Sequence, residues 1–196
     1  MAKLCYQGHS SFRMTTDSGT VIYVDPFAGS GYDQSADIIL VTHGHGDHSR
    51  IELPARKSNC RVITHKEALA GGRHHTFTEQ DVRIESVEAK NWMHNPKKCC
   101  GYIITFDGIQ IYAAGDTSKT QQMERFAERH FDYAFFPCDG FVNMRLKEAA
   151  RCAELIGARH NIPVHLKPGR LFDRPRAEKW EAPNRLILEP GQEITL

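Results

Sequence analysis

The sequence has no apolar stretch approaching the length of a membrane span, so no transmembrane helix is expected. It has almost no charge excess either. Lys and Arg number 25 against 24 Asp and Glu, a net charge of +1, which argues against nucleic acid or a membrane surface as a bulk partner. The six cysteines, Cys5, Cys60, Cys99, Cys100, Cys138 and Cys152, show no CxxC spacing, and adjacent Cys99 and Cys100 are poor partners for each other. Free thiols are expected, several buried as small apolar side chains. There is no Gly-x-Ser-x-Gly elbow to supply a serine nucleophile, and no low-complexity segment, linker or short repeat. The start Met1-Ala2-Lys3-Leu4 lacks the apolar region of a signal peptide, so a cytoplasmic location is expected. At 196 residues the chain can bury one core of ordinary size, and a single domain over 1–196 is the expected organisation.

What is present is a series of short apolar runs, each closed by a turn signal. Val21–Val24 reads as a buried strand stopped by Asp25-Pro26, and Asp37–Thr42 as another. Arg61–Thr64, Val82–Val87, Tyr133–Phe136 and Ile162–Val164 read as further strands. Tyr102–Phe106 and Ile109–Ala114 flank Asp107-Gly108, a strong hairpin signal. Helical spacing is expected over His65–Ala70, Lys119–Arg129 and Leu146–Ile156, with a short helix from His48 to Pro54. His74–Phe77 reads as a loop, and Arg185–Leu188 and Glu193–Leu196 as closing strands. Strands outnumber helices and hairpins sit beside helical connections, a pattern that suits layered sheets with helices outside them.

The densest chemistry lies in Thr42-His43-Gly44-His45-Gly46-Asp47-His48-Ser49. Four metal-ligating side chains follow directly on the run Ile38–Val41, and the intervening glycines let a tight loop turn several of them inward. Imidazole with carboxylate suits zinc, iron or manganese. Other strands also end in ligand-type residues: Asp25 after Val24, Asp116 after Ala114-Gly115, and His165 after Val164. Ligands collect at the carboxyl ends of strands in layered α/β proteins, so these residues point to one site.

His43-x-His45-x-Asp47-His48, followed by Gly115-Asp116-Thr117 and Ile162-Pro163-Val164-His165, resembles the metallo-β-lactamase superfamily. The likeness runs from Gly8-His9-Ser10 to Leu188-Glu189-Pro190-Gly191, and it is closest to small stand-alone metal-dependent hydrolases of the ascorbate-phosphate-lactonase-like branch. It implies an α+β fold, a four-layer αββα sandwich with a dinuclear metal site at one edge. By the same resemblance, His43, His45 and His94 would bind a first metal, and Asp47, His48 and His165 a second. Asp116 would bridge the two, and Asp25 would orient a ligand from behind. Asn91 is the substitute for His94. Two divalent ions are implied, Zn2+ first with Mn2+ or Fe2+ as alternatives, and a water they share would be acidified from a pKa of about 16 toward about 7. Asp47 and Asp116 would then be the catalytic carboxylates, with Asp47 also able to shuttle a proton.

The expected activity is hydrolysis of a small ester, lactone or phosphoester, with no membrane partner. Lys167 and Arg170, just after His165, are candidate contacts for an anionic group on the substrate. Phosphodiesterase or nuclease activity, a di-iron redox role and a non-catalytic metal scaffold are the alternatives. Nucleic acid is disfavoured because the chain has no strongly basic stripe. His9 is expected to hydrogen-bond structurally. Cys138-Asp139-Gly140 follows a strand end, where Asp139 either lines the site or, the favoured reading, serves a turn. His65, His74, His75, His130 and His160 are expected to stay out of the ligand set. Trp92, Met93 and Phe141 are either an apolar wall for substrate or core. Nothing in the sequence bears on oligomeric state.

Overall fold

The alternation of large apolar residues along the first four strands decides how the sheets meet. In the computed structural model, which describes residues Met1–Leu196, these are β1 (Lys3–Gly8), β2 (Ser11–Thr15), β3 (Val21–Val24) and β4 (Ala36–Val41). Leu4, Tyr6, Phe12, Met14, Ile22, Val24, Ile38 and Leu40 all belong to one buried cluster, because successive strand residues point to opposite faces. With β5 (Arg56–Thr64) and the short β12 (Glu193–Thr195) these strands form a six-stranded sheet in the order β12-β1-β2-β3-β4-β5.

The second sheet has β6 (Thr76–Glu79), β7 (Val82–Glu88), β8 (Cys100–Phe106), β9 (Ile109–Ala113), β10 (Tyr133–Pro137) and β11 (His160–Val164), in the order β11-β10-β9-β8-β7-β6. Ile84, Tyr102, Ile104, Ile111, Phe135 and Ile162 face the first sheet in the same 25-residue core. Phe12 and Phe135 stack across the gap with centroids 4.1 Å apart and planes 2° from parallel, which adds about 1 kcal/mol beyond burial. The outer residues of this sheet, among them Ile103, Tyr112, Ala134 and Phe136, pack under helices.

Those helices lie mainly on one side. The helix α1 (His65–Ala68) is a single turn that buries Ala68 in the central core. The helix α2 (Leu146–Ile156) lays Ala149, Cys152, Ala153 and Ile156 on the outer face of the second sheet. It stops at Gly157, whose φ of 67° only glycine adopts easily. The helix α3 (Arg174–Glu178) adds Ala177, beside Trp180. The apolar cluster on the outer face of the first sheet is small: Val21, Tyr23, Ala36, Ile39 and Val41, packed against Tyr32, Ile51, Cys60 and Val62. The α+β sandwich expected from the sequence is thus present, with its helical cover concentrated on one sheet. No helix is long and apolar enough to cross a membrane.

Several local expectations change. Arg185–Leu188 is not a strand. It makes one bridge, Arg185 with Asn161, while the Arg185 guanidinium turns to the carbonyls of Glu178 and Trp180. His48–Pro54 forms turns rather than a helix, because the Arg50 N–H is drawn to Pro26 O at 2.8 Å. Thr76 and Phe77 belong to β6, paired with Glu85 and Ile84. The segment Gln121–Arg129 is a run of 3-10 turns that still buries Met123 and Phe126. The Asp107-Gly108 hairpin is as expected, with both residues at positive φ (49° and 76°), the geometry of a type I′ turn.

Asp37 ties the first sheet together. Its carboxylate, 4% exposed with its residue, accepts from Val21 N at 2.9 Å, Lys57 Nζ at 2.7 Å and Gln80 Nε2 at 3.1 Å. Burial pushes its pKa up, but the donors, Lys57 foremost, overcome this and hold it below the usual 3.8. A depressed folded pKa means stability present above about pH 4 and lost as pH falls through the folded value. Asp37→Ala is expected to cost about 2–3 kcal/mol at pH 7 in urea unfolding. The difference from the parent protein should shrink on acidification below pH 4, and a pH-independent difference would show that the ionised form is not responsible.

Candidate metal centre

Most residues of the site sit at or just after strand ends, while His94 lies in the irregular segment between β7 and β8. Asp25 follows β3, Thr42 and His43 follow β4, Asp116 follows β9, and His165 follows β11. The two sheets are joined at this edge by a His43–Cys99 bridge and by Cys100 N donating to Thr42 O at 3.0 Å. Gly101 lies under the turn that presents Asp116. A Cβ there would come within 2.7 Å of Ala113 O and 2.8 Å of Ala114 O, so the close approach requires glycine. Three non-glycine residues of the site, His9, Asp25 and His165, have left-handed backbones (φ 57°, 45° and 44°). Each costs about 1 kcal/mol or more, and such strain persists where surrounding structure enforces it.

The side chains form two groups with Asp116 between them. His43 Nε2 lies 3.1 Å from His45 Nδ1, and His94 Nε2 lies 3.2 Å from the same atom. A tetrahedral ion with bonds of 2.0–2.1 Å has ligand–ligand edges of about 3.3 Å, so these three nitrogens are spaced to hold one. The second group is His9, Asp47, His48 and His165. Asp116 Oδ1 is 3.4 Å from His48 Nε2, and Oδ2 is 3.5 Å from His94 Nε2 and 3.4 Å from His165 Nε2. Both His48 Nε2 and Asp116 Oδ1 are buried without a hydrogen-bond partner. Buried polar atoms left unpaired are rare, and an ion between them would satisfy both. The residues therefore fit divalent metal.

The electrostatics follow from this crowding. Burial, reinforced by the charge of His48, lowers the His43 pKa to about 2. Burial lowers the His94 pKa too, against the pull of Asp116. For His48 burial is overcome by the Asp116 and Asp25 carboxylates, which raise its pKa to about 9. Burial would raise the Asp116 pKa, but the surrounding imidazoles, His48 first, hold it well below the usual carboxylate range. Asp116 thus stays ionised, and His43 and His94 keep free lone pairs.

The outer nitrogens are fixed from behind. His48 Nδ1 is 2.8 Å from Asp25 Oδ2, and His94 Nδ1 donates to Asn91 Oδ1 at 2.9 Å. Asn91 is therefore behind His94 rather than in its place. His9 Nδ1 donates to the Arg170 carbonyl at 3.0 Å, the structural bond expected of it, and its Nε2 also reaches Asp47 Oδ2 at 3.2 Å. Asp139 serves its turn through bonds from the N–H groups of Phe141 and Val142, and its other oxygen lies 3.1 Å from His165 Nδ1. A site-lining place for Asp139, after a strand end, was one of the two sequence readings, but nothing in the sequence pairs it with His165. Cys99 is buried, its thiol pushed up by burial, and it donates to Asp116 O at 3.5 Å. It stays a thiol beside the site.

A cavity of about 260 Å3 opens over the first group, lined by His43, His45, His94, His65, Met93 and Lys98 among others. His65 thus borders the site although it joins neither ligand group. Trp92 and Phe141 are 71% and 72% exposed and Met93 48%, so they are not core, and the Trp92 indole donates to Phe141 O at 3.3 Å. Lys167 and Arg170 are exposed and do not line this cavity.

Two packed sheets with a His/Asp cluster at the strand ends define a metallo-hydrolase fold. Residues 3–165 match the family profile described as "Beta-lactamase superfamily domain". The chain is 31% identical to a UPF0173 metal-dependent hydrolase of Pyrococcus furiosus and 31% identical to one of Thermococcus kodakarensis, with 100% of both chains covered in each case. It therefore belongs to the beta-lactamase superfamily and, within it, to the UPF0173 metal-dependent hydrolases. The structure of Igni18, a metallo hydrolase from Ignicoccus hospitalis, matches with a TM-score of 0.75 at 21% identity, covering 98% of this chain and 97% of that one. That likeness is one of fold. These relatives do not single out the ascorbate-phosphate-lactonase-like branch.

Proposed function

We propose that the protein hydrolyses a small ester, lactone or phosphoester at a centre of two divalent metal ions, Zn2+ first among the candidates. His43, His45 and His94 would hold one ion, and Asp47, His48 and His165 the other, with Asp116 shared. The observation that carries this reading is the placement of Asp116, within 3.5 Å of nitrogens from both groups and with one buried oxygen unpaired. When bound, such ions supply Lewis acidity toward a substrate oxygen and acidify a water they share.

The chain's own residues do the rest. Asp116 supplies the negative charge that lets six neighbouring ligands approach two dications. Asp47 is the one carboxylate of the site with substantial exposure, 31% for its side chain. Its pKa is held low, against burial, by the His9 hydrogen bond and the charges of His48 and His9. Its partly exposed carboxylate, a weak base, is placed to relay a proton between the site and solvent rather than to keep it. Asp25 and Asn91 keep His48 and His94 turned toward the site. Trp92, Met93 and Phe141 offer an apolar rim to the substrate, while Lys167 and Arg170 are exposed cations on the loop after His165 that could meet an anionic group.

The test is metal analysis by mass spectrometry combined with a panel of lactones, phosphodiesters and thioesters. About two equivalents of metal are expected, with turnover lost on chelation and restored by adding zinc or manganese. Undiminished turnover by metal-free protein would remove this reading.

A further inference from the structure

A chain of two amides, Asn91 half-buried and Asn143 buried, joins the outer nitrogens of His94 and His165, one candidate ligand from each proposed group. His94 Nδ1 meets Asn91 Oδ1 at 2.9 Å, Asn91 Nδ2 donates to Asn143 Oδ1 at 2.8 Å, and Asn143 Nδ2 donates to Asp139 Oδ2 at 2.7 Å. Asp139 Oδ2 in turn lies 3.1 Å from His165 Nδ1, within ion-pair reach though off the axis of the ring N–H. Asn143 is 5% exposed, His94 5% and Asp139 7%.

The direction of every bond is dictated from both ends. Asn91 Oδ1 also accepts from the backbone N–H groups of Met93 and His94, at 2.9 and 2.8 Å, so that atom is the oxygen. Its amide nitrogen must then face Asn143, which must present oxygen to it and nitrogen to Asp139. At the far end Asp139 Oδ1 accepts from Phe141 and Val142 N–H, at 2.6 and 2.8 Å, and a carboxylate can only accept. Both readings give the same amide orientations, so neither asparagine can flip without placing like atoms together. The consequence at the ends is a placed proton. His94 carries hydrogen on Nδ1 and turns a lone pair on Nε2 toward the site, and the Asp139 carboxylate favours an N–H at His165 Nδ1.

We propose that Asn143 is a positioning residue that couples the two ligand groups, by holding His94 and His165 in the metal-ready tautomer through Asn91 and Asp139. The metal part of this rests on the dinuclear reading above; the tautomer part does not. Asn143 contacts neither ring, so its effect must run through the amide chain.

The experiment has two arms, both on the full chain. In the first, long-range nitrogen–proton NMR correlation on the metal-free parent protein reads the tautomers of His94 and His165. Both are expected to carry Nδ1–H, and a neutral ring protonated only at Nε2 would overturn the proposal whatever the metal content. In the second, Zn2+ affinity at each group is measured by chelator competition for the parent, Asn143→Ala and Asn91→Asp. Asn91→Asp keeps the oxygen that His94 uses and removes the donor to Asn143, while its charge makes His94 a more basic ligand, so a loss at the His165 group reports the broken chain. A tenfold to hundredfold loss at both groups is expected for Asn143→Ala, together with mixed tautomers at both rings. Loss confined to the His94 group, or no loss in either variant, would overturn the coupling. If Asn143→Ala does not fold, Asn91→Asp decides, with loss at the His165 group expected. A parent that binds no Zn2+ would sink the dinuclear reading while leaving the tautomer arm to judge the relay.

Discussion

Asp116→Ala is expected to empty both metal groups and to lower turnover about 10^3-fold or more. The side chain is 4% exposed and ends between three imidazole nitrogens, 3.4 Å from His48 and His165 and 3.5 Å from His94. Asp25 and Asp139 are also buried carboxylates, but they face the outer nitrogens of their histidines and cannot replace it. On the proposed two-ion reading, the first group would keep three neutral ligands without Asp116, the second would keep Asp47, and nothing between them would offset two adjacent dications. Lewis-acid and charge stabilisation by a metal pair is worth several kcal/mol, and each 1.36 kcal/mol is a factor of ten in rate. The fold should survive, because the Asp116 carboxylate accepts no backbone hydrogen bond whose loss would loosen β9. His45→Ala removes a more exposed ligand of the first group alone, so about one equivalent of metal should remain. Metal stoichiometry by mass spectrometry beside kcat reads both variants. An Asp116→Ala protein that keeps two equivalents would show that the carboxylate does not bridge.

The cluster of candidate ligands was largely legible in the sequence, because strand ends are. A run of apolar residues must stop, and when several stop at His or Asp the sheet order brings those residues to one edge. That logic found Asp25, His43, Asp116 and His165. It had less hold on His94, which lies in the irregular segment after Ala89 with no periodicity to place it. The histidine is located instead by Asn91 accepting from its backbone and its ring. The partners of His9 and Asp139 were not legible, since each is brought from far along the chain: Asp47 for the one, His165 for the other. The Arg185–Leu188 error has the same root. An apolar run can satisfy its pattern by packing, as Ile187 and Leu188 do, without joining a ladder.

Asp25→Ala is expected to be the most destabilising substitution at the site, costing about 3–5 kcal/mol, a large part of the 5–15 kcal/mol typical of such a domain. Asp25 is 1% exposed. Its Oδ1 accepts from Thr42 N at 2.8 Å, and its Oδ2 accepts from Thr42 Oγ1 at 2.7 Å and lies 2.8 Å from His48 Nδ1. Because the Thr42 hydroxyl donates to Asp25, its oxygen is left to accept from His43 Nδ1, 3.0 Å away. One carboxylate therefore orients His43 in the first group through Thr42, and His48 in the second directly. Alanine leaves a buried N–H, a hydroxyl and an imidazole unpaired, and must adopt a φ of 45° that aspartate tolerates better. Asp25→Asn keeps an acceptor for Thr42 N but offers its amide hydrogens to His48 Nδ1. It should therefore lose less stability than alanine while still weakening Zn2+ binding tenfold to hundredfold. Urea unfolding should be run on metal-free protein, since bound ion would add its own stabilisation to the parent. A metal-free Asp25→Ala protein within about 1 kcal/mol of the parent would mean that these three donors find water, and that the end of β4 is held by packing alone.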